Sequence, residues 1–387
     1  MQNTQPQEFD LVIVGGGLVG ASLALALAPH WRVAVLERSA PAVPSLAEDD
    51  WDQRIYAISP GSQDFLHRIR AWPPKRQGLI REMDVRGDAG GAIRFDALEL
   101  ASSQLAATVE NRLLQHTLWQ ALAGKATLLA PAQLERVQFG TDAVRLTLAD
   151  GRVLQARLAV AADGANSWLR GQAGIDFRRQ PYQQQGVVAN FRCARPHGDI
   201  ARQWFRKDGI LAWLPLAGQR LSMVWSVDDE QAQALLALPA EQLADRVSAA
   251  GGRSLGALEL IGRPAAFPLS LGKAERTVGL RLALLGDAAH TIHPLAGQGV
   301  NLGFGDARVL AELLNARPGG DPGDAMLLQR YARARAEDVL TMQTVCDGLQ
   351  KLFASHDPVL GRLRNLGLQL TDRVGPLKRA MMRQAFR

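Results

Sequence analysis

Apolar positions along the chain follow two periods, and their order predicts a mixed α/β fold. Three short apolar runs, residues 9–14, 32–36 and 280–285, have the length and composition of buried strands. Residues 18–28 and 110–123 instead repeat apolar positions at helical spacing. The strand–helix–strand order at the start of the chain therefore predicts a βαβ unit.

The rest of the chain divides into a strand-rich part and a helix-rich part. Asp150-Gly151 lies between two short apolar runs and marks a hairpin turn. Strands are predicted at residues 134–139, 144–148, 153–161, 185–193, 200–205, 210–216 and 221–227. Helices are predicted at residues 239–249, 300–316, 325–353 and from 358 to the end. We therefore expect an antiparallel sheet between residues 177 and 272, with a helical region after it.

The first predicted strand runs directly into Gly15, Gly17 and Gly20, which have the spacing G-x-G-x-x-G. In this context the first glycine allows a tight turn, the second lets the backbone approach a pyrophosphate, and the third lets the helix pack on the strand. Glu37 ends the second strand, where an acidic side chain holds the ribose hydroxyls. We predict a dinucleotide site whose ribose carries no 2′-phosphate, and both FAD and NAD stay open.

This glycine-rich segment has a second interpretation, because residues 11–28 carry no charge and match the length of a membrane span. The three glycines and the strand-like start favour the nucleotide site instead. A signal peptide is not expected, since acidic Glu8 and Asp10 stand where a basic region would be.

A second candidate site lies in residues 286–303, GDAAHTIHPLAGQGVNLG, after the third apolar run. Asp287 follows the strand tip, a loop rich in Pro and Gly comes next, and a helix opens at about Gln298. Such a helix end carries roughly half a positive charge and unpaired N–H groups. This suits an anionic reduced flavin ring, and the Asp287 carboxylate suits ribityl hydroxyls. For a lone Gly-Asp pair the alternative is an ordinary strand–loop–helix turn.

Three motifs in this order resemble those of the FAD-dependent aromatic hydroxylases, the group A flavoprotein monooxygenases with the p-hydroxybenzoate hydroxylase fold. The third motif is Asp163-Gly164 with Ser167 and Arg170, which is similar to the family's D-G-x-x-S-x-x-R. Finer features resemble the ubiquinone-biosynthesis hydroxylases within that family: residues 52–59 (DQRIYAIS), 205–216, 224–226 and 331–335. The brief segment at residues 71–91 departs from the family pattern and leaves the regiochemistry open.

The resemblance implies an α/β fold, in which a Rossmann-like FAD-binding domain carries an inserted antiparallel β-sheet substrate domain and a helical C-terminus. We predict that residues 1–176 and 273–322 form the FAD-binding domain. Residues 177–272 are predicted to form the substrate domain, its sheet roofing the flavin ring, and residues 323–387 the C-terminal helical region.

The implied reaction is hydroxylation of the aromatic ring of a polyprenylated phenol or quinone precursor in ubiquinone biosynthesis. NAD(P)H or another donor reduces FAD, and O2 adds at flavin C4a to give a hydroperoxide whose distal oxygen is transferred to the ring. Two alternatives stay open: hydroxylation of a soluble aromatic acid, and flavin-dependent reduction of an isoprenoid. A non-catalytic carrier of quinone intermediates is disfavoured, because all the motif glycines and Asp287 are present.

The resemblance also implies roles for individual residues. The expected cofactor-binding residues are Gly15, Gly17, Gly20, Glu37, Arg38, Arg54, Arg112, Asp163, Asp287, Gly299, Val300 and Asn301. The residues expected to face the ring, where backbone N–H groups stabilise negative charge at N1 and the C2 oxygen, are Pro294, Gly297, Gln298 and Gly299. Arg112 has a surface arginine as its alternative. Six residues could line an apolar cleft or belong to the core: Trp204, Phe205, Trp213, Leu214, Pro215 and Trp225.

Composition narrows the class of protein further. The chain has 387 residues, of which 47% are apolar, so it is long and apolar enough for a large core. Its two cysteines form no CxxC pair, so we expect neither a disulfide framework nor a zinc site, and a reducing cytoplasm is favoured. His290 and His293 have no third clustered ligand, so no metal is expected.

The formal charge of +6 is concentrated toward the end of the chain. From Gly361 onward seven basic residues stand against one acid, Asp372, with leucines and methionines between them. Such a segment can lie on an anionic bilayer, or it can pack its apolar side on the protein with a solvated basic face. A lipid-dissolved substrate would favour contact with the inner face of the cell membrane, and a ubiquinone-biosynthesis complex is a further expected partner. Nucleic acid is not expected, since no binding motif is present.

Overall fold

The structure, a computed structural model, describes residues 6–88, 90–292 and 299–354, together with Lys378. Side chains are described as far as Gly348 and at Lys378. Apart from Lys378, the predicted helix from residue 358 onward therefore lies outside the described residues.

The first sheet is built around β1 (Gln7–Val14), a buried strand that pairs in parallel with a neighbour on each side. In spatial order its strands are β17 (Val278–Gly279), β18 (Leu282–Leu284), β11 (Val153–Ala161), β1, β2 (Val33–Leu36) and β8 (Thr127–Leu129). β10 (Val144–Leu148) and β9 (Leu134–Phe139) extend antiparallel from β11, so the predicted Asp150-Gly151 hairpin is confirmed.

Helices cover this sheet because their apolar faces match it. α1 (Leu18–Leu27) is apolar nearly all round and is buried between β1, α3 (Asn111–Leu122) and α7 (Gly299–Asn315). Gly303 on α7 fits against Val19, where an added Cβ would lie 2.5 Å from a Val19 methyl group. The remaining helices of the described chain are α2 (Pro60–Arg68), α4 (Trp168–Gln172), α5 (Asp229–Leu236), α6 (Ala240–Ala250) and α8 (Ala325–Ala354).

The second sheet is mostly antiparallel and packs one face on α5 and α6. In spatial order its strands are β19 (His290–Thr291), β16 (Leu258–Ala274), β12 (Phe177–Cys193), β15 (Arg220–Asp228), β14 (Gly209–Leu216), β13 (Ile200–Arg206), β5 (Glu82–Arg86) and β6 (Ala92–Asp96). The α/β class and the antiparallel second sheet agree with the sequence prediction.

β5 and β6 depart from the predicted division of the chain, because they lie in a range assigned to the FAD-binding domain but belong to the second sheet. β5 pairs in parallel with β13, Ile200 opposite Glu82, and β6 forms the edge. β3 (Ile55–Ile58), β7 (Ala106–Glu110) and β4 (Gly78–Ile80) form a small third sheet. The predicted domain bounds otherwise stay a prediction.

Across the described ranges, no helix is both long enough and apolar enough to cross a bilayer.

Candidate active site

The glycine-rich turn after β1 is shaped by close backbone contacts. Gly15 has φ +104°, and an added Cβ would lie 2.2 Å from the carbonyl oxygen of Ala162. A Cβ on Gly20 would lie 2.0 Å from the carbonyl oxygen of Gly15. Only glycine fits either position. Gly17 differs, because it caps α1 and a Cβ there would meet nothing within 4 Å. The space in front of the first turn of α1 is therefore open.

Glu37 holds this turn from the end of β2. Its Oε2 accepts a hydrogen bond from the Gly16 N–H at 2.7 Å, and its Oε1 accepts from the Arg38 N–H at 2.8 Å. Trp119 supports the same loop by donating its indole N–H to the Gly16 carbonyl at 2.7 Å. The carboxylate is half-buried at the point where a ribose would lie in a dinucleotide fold. Arg38 lies next to it with an exposed side chain.

The Asp163-Gly164 motif follows β11, the parallel neighbour of β1. Asp163 Oδ2 accepts from the Leu169 N–H at 3.2 Å, whereas Oδ1 is buried and has no hydrogen-bond partner among the described residues. Arg170 is buried and donates to the carbonyl of Ala288 at 2.9 Å. Burial lowers the pKa of Arg170, and the nearby Asp163 acts in the opposite direction. Arg170 thus joins this motif to the turn that carries Asp287.

Asp287 lies in a short 3-10 turn, Gly286–Ala288, after β18. Its side chain is exposed, while its neighbours Gly286, Ala288 and His290 are buried. Although solvent reaches the carboxylate, crowding by surrounding protein atoms raises its pKa, and His290 and Arg54 partly offset that shift. An accessible carboxylate in a crowded recess is suited to bind a polar ligand.

The three motifs meet at the carboxyl ends of neighbouring parallel strands. The Ala162 N–H donates to the Val14 carbonyl at 2.8 Å, and the Leu285 N–H donates to the Ala161 carbonyl at 2.9 Å. Because ligands of open α/β sheets bind at the carboxyl edge, the arrangement fits a single dinucleotide across all three strands. The open space at Gly17, the unpaired Asp163 oxygen and the exposed Asp287 all fit FAD.

Of three further residues expected at the cofactor, Val300 and Asn301 lie at the start of α7 and Arg54 contacts the second sheet. Asn301 donates to the Ala57 carbonyl at 2.8 Å and accepts from the Ser59 N–H at 3.0 Å, so its side chain ties α7 to the end of β3. Val300 is half-buried in the same helical turn. The exposed Arg54 guanidinium lies 4.7 Å from the centre of the Phe267 ring, on the second sheet.

Arg112 is a partly buried, ion-paired residue. Its Nη2 lies 2.8 Å from Asp50 Oδ1 and 3.4 Å from Glu110 Oε2, and its backbone N–H donates to Asp52 Oδ2. Burial raises the pKa of Glu110, which Arg76 and Arg112 oppose. Arg112 Nε is buried without a hydrogen-bond partner in the described structure.

Part of the expected site lies outside the described residues. These are Pro294, Gly297 and Gln298, together with His293. Gly299 is described and begins α7. The first N–H groups of this helix have no intrahelical partner.

The aromatic residues of the second sheet divide between its two faces. Trp213 and Trp225 are buried in the core beneath α5 and α6, and Trp204 packs edge-on against Trp213 with ring centroids 4.8 Å apart. Strand alternation places Phe205 and Leu214 on the opposite face. Pro215 is buried, and its carbonyl accepts a hydrogen bond from Thr108. The tryptophans therefore belong to the core and do not line an apolar cleft.

Asp306 is a buried residue of the site region that sequence reasoning missed. It lies on the apolar face of α7 and is 1% exposed. Its carboxylate contacts Gly286, His290 and Arg335. The signal was a carboxylate at a position where helical periodicity demands an apolar residue, between Leu302, Phe304 and Leu310.

Within the described ranges no cluster of three or more His, Cys, Asp or Glu side chains could hold a metal ion. Cys193 and Cys346 are both buried and free.

Comparison with known proteins agrees with this geometry. A family model described as FAD binding domain matches residues 90–344. Ubiquinone hydroxylase UbiL of Rhodospirillum rubrum is 39% identical over 384 residues, covering 97% of this chain and 89% of that protein. The 3-demethoxyubiquinol 3-hydroxylase of Escherichia coli is 38% identical over 388 residues, covering 98% and 99%.

Among solved structures, p-nitrophenol 4-monooxygenase PnpA from Pseudomonas putida has a TM-score of 0.80 at 20% identity, covering 98% of this chain and 97% of that one. This likeness concerns the fold. Fold, site and relatives together define an FAD-dependent monooxygenase. Within that class, the chain belongs to the ubiquinone-biosynthesis hydroxylases.

Proposed function

We propose that this protein hydroxylates the aromatic ring of a polyprenylated phenol or quinone precursor of ubiquinone. FAD is the bound cofactor, NAD(P)H or another donor is the reductant, and O2 is the oxidant. The observation that carries the proposal is the meeting of Gly15, Asp163 and Asp287 at adjoining strand ends in a chain whose relatives are ubiquinone hydroxylases.

Bound FAD supplies the transfer of electrons and the activation of oxygen. The chain's own groups bind and orient it. The open first turn of α1 at Gly17 would receive the pyrophosphate, and Glu37 would hold the adenosine ribose. Asp287 would accept hydrogen bonds from ribityl hydroxyls, and Arg54 would approach from the other side of the recess.

The N-terminus of α7 would stabilise negative charge on the ring. Gly299 begins a helix of 17 residues whose first N–H groups have no intrahelical partner. We place the flavin ring against this helix end, with Pro294, Gly297 and Gln298 as the preceding backbone that faces it. This placement follows from the family pattern, since those three residues lie outside the described ranges.

The substrate would lie against the face of the second sheet opposite α5 and α6. A row of small apolar residues crosses four strands there, and each is partly exposed: Ala212, Val224, Val188 and Ala265. A surface of small aliphatic side chains excludes water and admits a bulky apolar substrate. A prenylated ring matches this surface better than a small carboxylated phenol does.

Quinone intermediates in a deletion strain provide the test. We expect mass spectrometry to find a precursor lacking one hydroxyl group, and the cloned gene to restore ubiquinone in air only. Restoration under strict anoxia with a saturated isoprenoid product would support the reductase instead. Substrate-stimulated NAD(P)H consumption with a small carboxylated phenol, and an unchanged quinone pool in the deletion strain, would support the soluble-acid hydroxylase.

We also propose that the basic segment from Gly361 onward contacts an anionic bilayer surface, and that the protein joins a ubiquinone-biosynthesis complex. The charge pattern of the sequence supports the first proposal and the lipid-dissolved substrate supports both. Binding to vesicles that contain phosphatidylglycerol, reduced by salt and absent with phosphatidylcholine alone, is the expected result. Equal binding to both kinds of vesicle, or to neither, would contradict the first proposal.

A further inference from the structure

The turn that displays Asp287 is held from behind by one buried carboxylate. Asp306 Oδ2 accepts from the Gly286 N–H at 2.9 Å and from His290 Nε2 at 2.8 Å. A single oxygen therefore binds both ends of the segment from Gly286 to His290. Asp287, between these ends, has the exposed side chain.

The second oxygen of Asp306 connects the turn to α8. Arg335 Nε donates to Asp306 Oδ1 at 2.7 Å, and Arg335 Nη2 donates to the Leu302 carbonyl at 3.2 Å. Gly305 leaves room for this crossing, since an added Cβ would lie 2.9 Å from Arg335 Nη2. Arg335 also pairs with Asp338, at the half-buried end of the network.

The burial of the Asp306 carboxylate requires a functional or structural reason, because an aliphatic residue at position 306 would pack there without a desolvation cost. Burial acts to raise the pKa of Asp306, but His290 and Arg335 outweigh it and hold the pKa below its ordinary value. The group is thus a carboxylate at neutral pH, and its charge-assisted hydrogen bonds have fixed directions. Those bonds act on the backbone that carries Asp287.

We infer that Asp306 is a positioning residue for cofactor binding: through Gly286 and His290 it fixes the turn that presents Asp287 to the ribityl chain. The inference rests on the proposed function, because it takes Asp287 as the ribityl ligand. His290 is the mediating group. It starts β19, pairs with Lys273 of the second sheet, and is 3% exposed.

The test is a titration of the apoprotein with FAD, in which binding is measured by the quenching of flavin fluorescence. Wild type and four variants are compared. His290→Ala removes the donor, and His290→Gln restores an N–H at a similar reach. Asp306→Asn leaves the shape of the carboxylate but adds donors where acceptors are needed. Asp338→Asn is the matched control, because it changes the same network at the end remote from the turn.

We expect His290→Ala and Asp306→Asn to raise the Kd for FAD by about tenfold or more, the usual cost of a lost charge-assisted hydrogen bond. His290→Gln and Asp338→Asn should stay within about threefold of wild type. A thermal melt of each apoprotein separates folding from binding. If Asp306→Asn does not fold, the pair His290→Ala and His290→Gln decides the question.

Three results would overturn the inference: an unchanged Kd in folded His290→Ala, equal weakening in His290→Ala and His290→Gln, or weakening of similar size in Asp338→Asn. The first would leave Asp287 positioned without the network. The second would assign the effect to ring packing, and the third to general stability. Failure of the wild-type apoprotein to bind FAD would instead remove the proposed function, so the two failures are distinguishable.

Discussion

Gly17 and Gly20 belong to one turn and differ in what surrounds their α-carbons. The Gly20 α-carbon touches backbone of the preceding loop, whereas the Gly17 α-carbon faces open space. The same residue type therefore serves packing at one position and ligand access at the other. Substitution of each glycine by alanine, which adds one methyl group, distinguishes the packing role from the ligand-access role.

We expect Gly20→Ala to destabilise the apoprotein by about 1–3 kcal/mol or more, because the new Cβ overpacks against backbone that cannot move aside. Gly17→Ala should cost at most about 1 kcal/mol as a poorer helix cap, yet weaken FAD binding strongly. Urea unfolding of the apoproteins and FAD titrations measure the two effects. Normal FAD affinity in Gly17→Ala would contradict a pyrophosphate in that space.

Some residues of the site could be predicted from the sequence and others could not, depending on whether their partners are local. The glycine spacing with Glu37 and the Asp163 and Asp287 motifs could be predicted, since each stands in a local strand–turn context. Asp306 could not, because its three donors come from residues 286, 290 and 335 and only the fold brings them together. The pairing of Arg112 with Asp50 is equally non-local.

At the scale of elements, periodicity predicted where strands lie but not which strands pair. The predicted bounds of β9, β10 and β11 agree with the structure, because each alternates and is bounded by turn residues. β5 and β6 were not predicted in the second sheet, since β13, which joins β5 to that sheet, lies more than a hundred residues away. The sequence analysis grouped Trp213 with Leu214, whereas the structure places Trp213 in the core beneath α5 and α6 and Leu214 on the opposite face.

The two faces of the second sheet lead to a prediction about substrate. Val224→Trp fills the row of small residues on the face opposite α5 and α6, so the KM for the aromatic substrate should rise about tenfold or more while FAD affinity stays within about threefold. Val224→Ala is the control and should change KM by less than about threefold. Steady-state kinetics with a short-chain prenylated phenol gives the values. An unchanged KM in Val224→Trp would place the substrate elsewhere.

Arg281 joins the first sheet, near its edge, to the segment before α8. It donates to the Thr141 carbonyl after β9 and to the Arg157 carbonyl of β11, and it pairs through both terminal nitrogens with Asp321 before α8. This hydrogen-bonded pairing with Arg281 is the main cause that lowers the pKa of Asp321. Ionised Asp321 therefore stabilises the folded state at pH values above 3.8, its pKa in the unfolded chain. This stabilisation is lost as the pH falls through the lower pKa that Asp321 has in the folded state.

We therefore expect Asp321→Asn to lower the free energy of unfolding by about 1–2 kcal/mol at pH 7, after allowing for the partial exposure of the carboxylate. The difference from wild type should shrink below pH 4 and vanish in stronger acid, where wild-type Asp321 is itself protonated. Denaturant unfolding at several pH values measures it. A difference that grew as pH fell would contradict the sign of the lowered pKa.

At the scale of the whole molecule, an acidic loop at residues 48–52 connects the second sheet to helix α3, which covers the first sheet. Arg220 of β15 lies 2.6 Å from Glu48, and Arg192 of β12 lies 2.8 Å from Asp49. Arg112 of α3 lies 2.8 Å from Asp50 on the other side. The loop leads into Arg54, which is expected at the cofactor, so its order bears on both halves of the site.

We expect the double variant Arg192→Gln with Arg220→Gln to exchange the amide hydrogens of residues 48–52 several-fold faster than wild type at low salt. Because exposed ion pairs are screened, wild type should approach the variant's rate at about 1 M NaCl. Arg178→Gln, an exposed arginine on the same strand β12, is the control. Hydrogen-exchange mass spectrometry gives the rates. Equal protection in the double variant at low salt would show that the loop is held by its other contacts.

The path of β5 and β6 has a consequence for anyone who builds hybrids between relatives. A transplant of residues 177–274 alone would carry β13 without its native neighbour β5, so that β13 would have to pair with the β5 of the recipient. Residues 82–96 have to travel with the transplanted sheet. The second sheet is therefore encoded in separate stretches of the chain, and a hybrid that divides residues 82–96 from residues 177–274 should yield insoluble protein more often than one that keeps them together.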